Sequence, residues 1–333
     1  ENELQERVFL AFAASSSIRA DWATPVNNTI ALLAKTIAKY QPVTVLCRPA
    51  QLALAKSKCG TTNIKFISVA LDDIWMRDYG GCFVVDDQGG RGLVDFNFNG
   101  WGNKQAHASD TQVADELSYQ TNASYISSQL TGEGGGIEVD GHGTAIMTES
   151  CWVNSNRNPG MSRAQIEAEL KANLGLRKII WLPGIKDKDI TDAHVDFYAR
   201  FASKGVVVAN LDNDPKSYDY AVTRKHLEIL KAATDADGNK LQIHTLPPPL
   251  KKRSNVYTQN NPDFAPGYIN YLPINGAVIV PQFGDAAADK YAKDLPYNSG
   301  RSSIDLVRGD LLAKNASTHK KGMDMLYNVV NKG

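Results

Sequence analysis

The chain has 333 residues, 43% hydrophobic and 22% charged, an ordinary globular composition with enough apolar material for a single α/β domain spanning residues 1–333. Lys plus Arg and Asp plus Glu are both 36, so no whole-chain field favours nucleic acid or an anionic membrane, and any charge selectivity must be local to a pocket. No apolar stretch approaches the roughly 20 residues that a membrane span needs.

Taken in chain order, residues 25–39 read as a helix. Residues 82–85, the turn Asp86-Asp-Gln-Gly-Gly90 and residues 92–98 read as strand, turn, strand. The same unit returns at 136–139 and 144–148 across Asp140-Gly-His-Gly143. It returns again at 197–202 and 206–210 across Ser203-Lys-Gly205, and at 268–272 and 277–282 across Pro273-Ile-Asn-Gly276. Between the hairpins lie helices at 162–174 and 218–233, the first with Ser162 as N-cap and a short apolar strand, 178–182, behind it. A recurring supersecondary unit points to a closed, pseudo-symmetric α/β arrangement, and the hairpins argue against an all-parallel doubly wound sheet. Neither Gly-x-Gly-x-x-Gly in a strand–helix context nor a Gly-Lys-Ser/Thr phosphate loop is present, so nucleotide binding has no support.

Three segments carry candidate chemistry. Trp75-Met-Arg-Asp-Tyr-Gly-Gly81 places Asp78 where a backbone bends, either as a turn-capping residue or as one aimed into a cavity. Gly132-Glu-Gly-Gly-Gly-Ile137 sets Glu133 among glycines that allow close backbone approach, either a bulge with an exposed Glu or a ligand site. In Asp192-Ala-His-Val-Asp-Phe197, strand alternation would put His194 and Asp196 on one face, and Val195 and Phe197 on the other. Three carboxylates and an imidazole suit a planar cation, because a guanidinium pairs bidentately with carboxylates. The competing reading is a divalent-metal site in a metal-dependent hydrolase, for which one His is a poor zinc set.

These motifs resemble the agmatine deiminases and bacterial-type peptidyl-arginine deiminases. The resemblance rests on Trp75-Met-Arg-Asp-Tyr-Gly80 with Val94-Asp-Phe-Asn-Phe-Asn-Gly-Trp-Gly102, on Glu133 to Thr144 with Asn154-Ser-Asn-Arg-Asn-Pro159, on Ala193-His-Val-Asp196 and on Asn275 to Asp285. It implies the five-bladed, pentein-like α/β propeller of guanidino-group-modifying enzymes. It also implies Asp78 and Asp196 as guanidinium holders, Glu133 orienting His194, His194 as general acid and base, and Trp101 as a pocket wall. The implied partner is a small guanidino compound or an arginyl peptide, with no nucleic acid or membrane partner and no metal or organic cofactor. The implied reaction is attack of a cysteine thiolate on the guanidinium carbon, loss of ammonia, and hydrolysis to a ureido product. The nucleophile's segment departs from the pattern: no cysteine follows Cys151. Alignment on Ser317-Thr318 puts Ala316 in the nucleophile's place and is preferred, whereas alignment on His319 puts Lys320 there. Cys82 and Cys151, at apolar strands, read as small hydrophobes, and a non-catalytic guanidinium-binding protein is the alternative function.

Cys47 and Cys59 read either as a disulfide or as two buried thiols. Glu1 in place of Met leaves room for a removed leader, and Asn27, Asn122 and Asn315 head N-glycosylation triplets. Secretion is therefore the favoured location, with the cytoplasm as the alternative.

Overall fold

The computed structural model describes residues 4–250, 266–294, 303–308 and 327–331. Among them the strands form five separate small sheets of one plan. An antiparallel pair is followed by a helix that returns the chain to a parallel third strand. Cys82–Val85 pairs antiparallel with Arg91–Asp95, and helix Val113–Thr121 leads to Ser124–Ser127, parallel to Arg91–Asp95. Glu138–Val139, Thr144–Thr148, helix Arg163–Leu174 and Lys178–Leu182 repeat the plan. So do Ala199–Ser203, Val206–Asn210, helix Asp219–Ala232 and Gln242–Leu246. The fourth set is Leu272–Ile274, Ala277–Gln282, helix Ala286–Asp294 and Ser303–Arg308.

The fifth sheet draws on both ends of the chain. Gln5–Phe12 pairs antiparallel with Tyr327–Asn331 and, after helix Ala23–Ile37, parallel with Val43–Cys47, to which Ile64–Ser68 adds. Hairpin signals found the other four units because a Gly turn joins their first two strands, whereas here the antiparallel partner lies at the opposite end of the sequence. The middle strands are almost wholly buried, as parallel pairing covered by crossover helices requires.

Helix Arg163–Leu174 starts where its sequence signal lies. Ser162 Oγ accepts from Gln165 N at 3.3 Å and Gln165 Oε1 accepts from Ser162 N at 2.9 Å, a reciprocal cap. Ser162→Ala is expected to lower stability by about 1 kcal/mol in urea unfolding without altering ligand binding.

Cys47 and Cys59 are buried free thiols, so the disulfide expectation is not met. Asn27 is buried, and its amide both accepts from Ala14 N at 3.2 Å and donates to Ala14 O at 3.1 Å, so this triplet cannot carry a glycan in the folded protein. Asn122 is exposed at a helix C-terminus, and Asn315 lies outside the described residues.

The plan places the site. In three successive units a single helical turn precedes the first strand: Met76–Tyr79, Gly134–Gly136 and Val195–Phe197. Those three turns and the residues flanking them carry Asp78, Glu133, His194 and Asp196.

Candidate active site

Asp78, on the turn Met76–Tyr79, is 3% exposed and accepts from Gly135 N at 3.0 Å. Arg77 staples the same turn to the next by donating from Nε to Gly134 O and from Nη2 to Ile137 O, both at 3.1 Å. Gly134–Gly136 passes so closely that a Cβ on Gly134 would stand 2.2 Å from Arg77 O. None of these three glycines has positive φ, so proximity rather than conformation demands them. A Cβ on Gly135 would stand 2.4 Å from His194 Nδ1 and 2.9 Å from Asp196 Oδ2 and Asp78 Oδ1. An imidazole and two carboxylates from different units thus converge on one glycine.

The strand expected through residues 192–197 is absent. His194 caps the one-turn helix Val195–Phe197, and Asp192 and Ala193 before it are left-handed at φ 60° and 70°. Alternation therefore does not explain why His194 and Asp196 face one pocket; a tight turn does. Asp189 makes the turn by accepting from Thr191 N at 2.7 Å and Ala193 N at 3.3 Å. His194 N in turn donates to Thr191 Oγ1 at 3.0 Å.

Behind the imidazole, His194 Nε2 meets Glu133 Oε2 at 3.1 Å, while Nδ1 lies 3.7 Å from Asp78 Oδ1. Glu133 is fully buried and accepts from Arg157 Nε at 2.8 and 2.9 Å. Burial acts to raise its carboxyl, but Arg157 and His194 hold it below the ordinary range. An ionised Glu133 selects the Nε2–H form of the imidazole and leaves Nδ1, on the side of Asp78 and Asp196, as the basic nitrogen.

Asp196 is the opposite case. Neither of its oxygens has a hydrogen-bond partner among the described residues, and burial pushes its carboxyl up to about 7 against the pull of His194 and Arg77. Trp101 is brought beside Asp78: buried, at φ 56°, it donates from Nε1 to Asp78 Oδ2 at 3.2 Å. Its ring packs edge-on against Trp75 and Phe98.

Three residues acquire a place that sequence reasoning had not assigned. Cys151 is buried among apolar side chains just past a strand end, as read from the sequence, and it also reaches the site. It lies on the turn Glu149–Trp152 with Sγ 3.8 Å from Glu133 Oε2, its thiol raised by burial against Arg157 and His194. Arg157, from the Asn-Ser-Asn-Arg-Asn-Pro motif, is the cation on Glu133, and Asp192, at the head of the Asp-Ala-His-Val-Asp motif, accepts from Arg157 Nη1 at 2.8 Å. Both stood inside recognised motifs, but burial is what converts them from surface charges into fixtures. Glu133, Cys151 and His194 offer ligand atoms within 4.8 Å of one another, the described set that suits a metal ion. The Arg157 guanidinium already seated on Glu133 opposes a second cation there by like charge. Ala316 and Lys320, the two candidate nucleophile positions, lie outside the described residues.

Buried carboxylates beside an imidazole that is itself backed by a carboxylate are groups of the type that pair with a planar cation and move protons. Residues 1–299 match the family of Porphyromonas-type peptidyl-arginine deiminases, and the chain belongs to it. It is thereby a deiminase, a hydrolase of carbon–nitrogen bonds. An agmatine deiminase of Stutzerimonas stutzeri is 36% identical over 284 residues, covering 80% of this chain and 77% of that protein. The structure of an Enterococcus faecalis agmatine deiminase superposes with a TM-score of 0.88 at 27% identity, covering 99% of this chain and 94% of that one. A C. jejuni agmatine deiminase with a cysteine-to-serine change and substrate bound gives a TM-score of 0.84 at 25% identity, covering 99% and 95%.

Proposed function

We propose that the chain binds agmatine, a small guanidino cation, between Asp78 and Asp196, and that its reaction is covalent deimination to a ureido product and ammonia. The observation that carries this reading is Asp196: buried, without a hydrogen-bond partner among the described residues, and facing Asp78 and His194 across Gly135. A guanidinium between the two carboxylates would satisfy Asp196 and supply the charge that ionises it. In the reaction His194 Nδ1 takes the proton of the thiol, the thiolate attacks the guanidinium carbon, and Nδ1 returns that proton to the departing ammonia; the same nitrogen then takes a proton from the water that attacks the thiouronium and expels the thiolate. Glu133 steadies the imidazolium through Nε2, the part a triad carboxylate plays.

We do not assign the thiol to Cys151, which is buried with Sγ 3.8 Å from Glu133 Oε2. We assign its place to position 316, now Ala316, with Lys320 as the second choice. The five sheets would then be the blades of a pentein-like propeller. Tyr327–Asn331 pairs antiparallel with Gln5–Phe12 as Cys82–Val85 pairs with Arg91–Asp95. A non-catalytic guanidine-binding protein is the second reading, favoured by the lack of any cysteine after Cys151.

Calorimetry with agmatine tests binding, and ammonia release by Ala316→Cys tests catalysis. Binding with release supports the full reading. Binding without release from Ala316→Cys or Lys320→Cys favours the second, and no binding of agmatine, arginine or an arginyl peptide defeats both. We place the protein outside the cell on the strength of Asn122; an unglycosylated Asn122 in the protein from its native source would count against that.

A further inference from the structure

Four charges of alternating sign run through the site: Lys104 at the surface, then Asp192, Arg157 and Glu133, all buried. Lys104 Nζ donates to Asp192 Oδ2 at 2.8 Å and to Ile190 O at 3.0 Å. Arg157 spans from Asp192 Oδ2 at 2.8 Å to both oxygens of Glu133. The side chains of Asp192, Arg157 and Glu133 are fully buried, and that of Lys104 is 29% exposed. We propose that this ladder is a positioning device in which one buried anion, Asp192, sets both the Trp101 wall and the His194 proton carrier.

Two strained segments meet at Asp192. The first is its own backbone. Asp192 and Ala193 are consecutive non-glycine residues in the left-handed region, a conformation that side chains strain. Local sequence does not favour it, so tertiary bonds hold it. Asp192 Oδ1 accepts from Asp187 N at 2.9 Å, and the carbonyls of Asp192 and Ala193 accept from Ser150 Oγ at 2.8 Å and Thr148 Oγ1 at 2.6 Å. His194 follows directly, so its ring direction depends on this turn.

The second is the Trp101 loop. Asn97, Gly100, Trp101, Gly102 and Asn103 all have positive φ, and Asn99 closes the loop by accepting from Gly102 N at 2.7 Å through Oδ1 and from Asn103 N at 2.8 Å through its carbonyl. Asn97 Nδ2 to Ser128 O at 2.8 Å and Leu130 O at 2.9 Å ties its start, and Asn99 Nδ2 to Asn156 O at 3.0 Å and Lys104 to Asp192 tie its far side. Asn156 Nδ2 donates to the same Asp192 oxygen at 3.0 Å. These donors hold the Asp192 carboxyl down at about 2 although burial works to raise it.

A role in stability alone does not account for the ladder. Buried ion pairs cost desolvation that well-packed apolar side chains avoid, so a chain of four charges is poor stabilisation but specific geometry. Arg157 fixes both Glu133 oxygens, hence the direction in which Glu133 meets His194 Nε2. The ionisable groups facing the imidazole are Glu133 and Cys151 on one side and Asp78 and Asp196 on the other.

The test reads two assigned signals in the full chain without ligand, so it stands whether or not agmatine proves to be the substrate. One is the ring-nitrogen spectrum of His194, assigned with His194→Gln; the other is the Trp101 indole N–H, assigned with Trp101→Phe. The unaltered protein is expected to show one Nε2–H tautomer, and an Nδ1–H form there would overturn the proposal. Asp192→Asn is expected to bring in the Nδ1–H form and to shift the indole resonance; a folded Asp192→Asn that leaves either signal in place overturns it. If Asp192→Asn does not fold, two other variants decide. Arg157→Lys, which keeps the charge but loses the fork, has to mix the tautomers. Lys104→Met has to shift the indole while its melting temperature stays within about 4 °C of the parent. Failure of either of the two overturns the proposal.

Discussion

Asp196→Asn is expected to weaken agmatine binding by about two to three orders of magnitude and, at the same time, to make the empty protein more stable at pH 8. Neutralising one partner of a buried, hydrogen-bonded charge pair costs about 2–5 kcal/mol, and each 1.4 kcal/mol is about tenfold in affinity. The stability gain follows from linkage. Burial raises Asp196 to about 7, whereas an unfolded Asp ionises near 3.9. Between those values the native state keeps a proton that the unfolded state has lost. The contribution of Asp196 to stability therefore falls as pH rises through that window and stays low above it. Between pH 5 and pH 8 the loss is up to about 3 kcal/mol, and an asparagine escapes it. Asp219, raised by burial to about 7, adds a slope of the same sign that the substitution leaves in place. Urea unfolding at the two pH values checks this; a stability gain from Asp196→Asn that is the same at both would overturn it. Agmatine should release close to one proton on binding at pH 6, visible as buffer-dependent heats, and its affinity should fall about tenfold per pH unit below 7.

How much of this was legible in the sequence follows from how local each signal is. Glycine turns between alternating apolar runs found four of the five antiparallel pairs, since two strands joined by a short turn are a local event. The fourth, however, was expected at 268–272 before a turn at 273–276, and its first strand is Leu272–Ile274. The pairing of Gln5–Phe12 with Tyr327–Asn331 is not local, and no spacing rule reaches it. Among the helices, 25–39 and 218–233 differ from the observed Ala23–Ile37 and Asp219–Ala232 only at their ends, while Val113–Thr121 and Ala286–Asp294, short and rich in polar residues, passed unnoticed.

Asp78, Glu133, His194 and Asp196 were each open to a bland reading singly, and only their order along a matching set of motifs joined them. Geometry then changed the reason for two of them: His194 and Asp196 share a pocket because residues 192–193 are left-handed, not because a strand alternates. Arg157 and Asp192 show the limit in the other direction. An Arg in an Asn-rich stretch and an Asp before Ala-His are ordinary surface residues by type. Only the fold reveals that both are buried and face each other.

The glycines of Gly134–Gly136 make the sharpest test of what the close approach is for. Gly135→Ala is expected to abolish measurable agmatine binding, a loss of at least about a hundredfold, while the protein still folds. The added methyl would meet His194 Nδ1 at 2.4 Å and the carboxylates of Asp196 and Asp78 at 2.9 Å. Those are the three groups a guanidinium would engage, and all are buried, so relief has to come from turning them out of position. Overpacking of this kind costs about 1–3 kcal/mol, which a protein of this size tolerates. Gly134→Ala is the contrast. There the methyl would meet the Arg77 carbonyl oxygen at 2.2 Å, and a backbone cannot rotate away, so the loss should fall on stability first. Gly267→Ala meets nothing within 4 Å and should change neither. Thermal melting and calorimetry on the three variants separate the cases. A folded Gly135→Ala that binds agmatine like the parent would mean that the guanidinium does not lie among Asp78, Asp196 and His194, and the assignment of the pocket would fall with it.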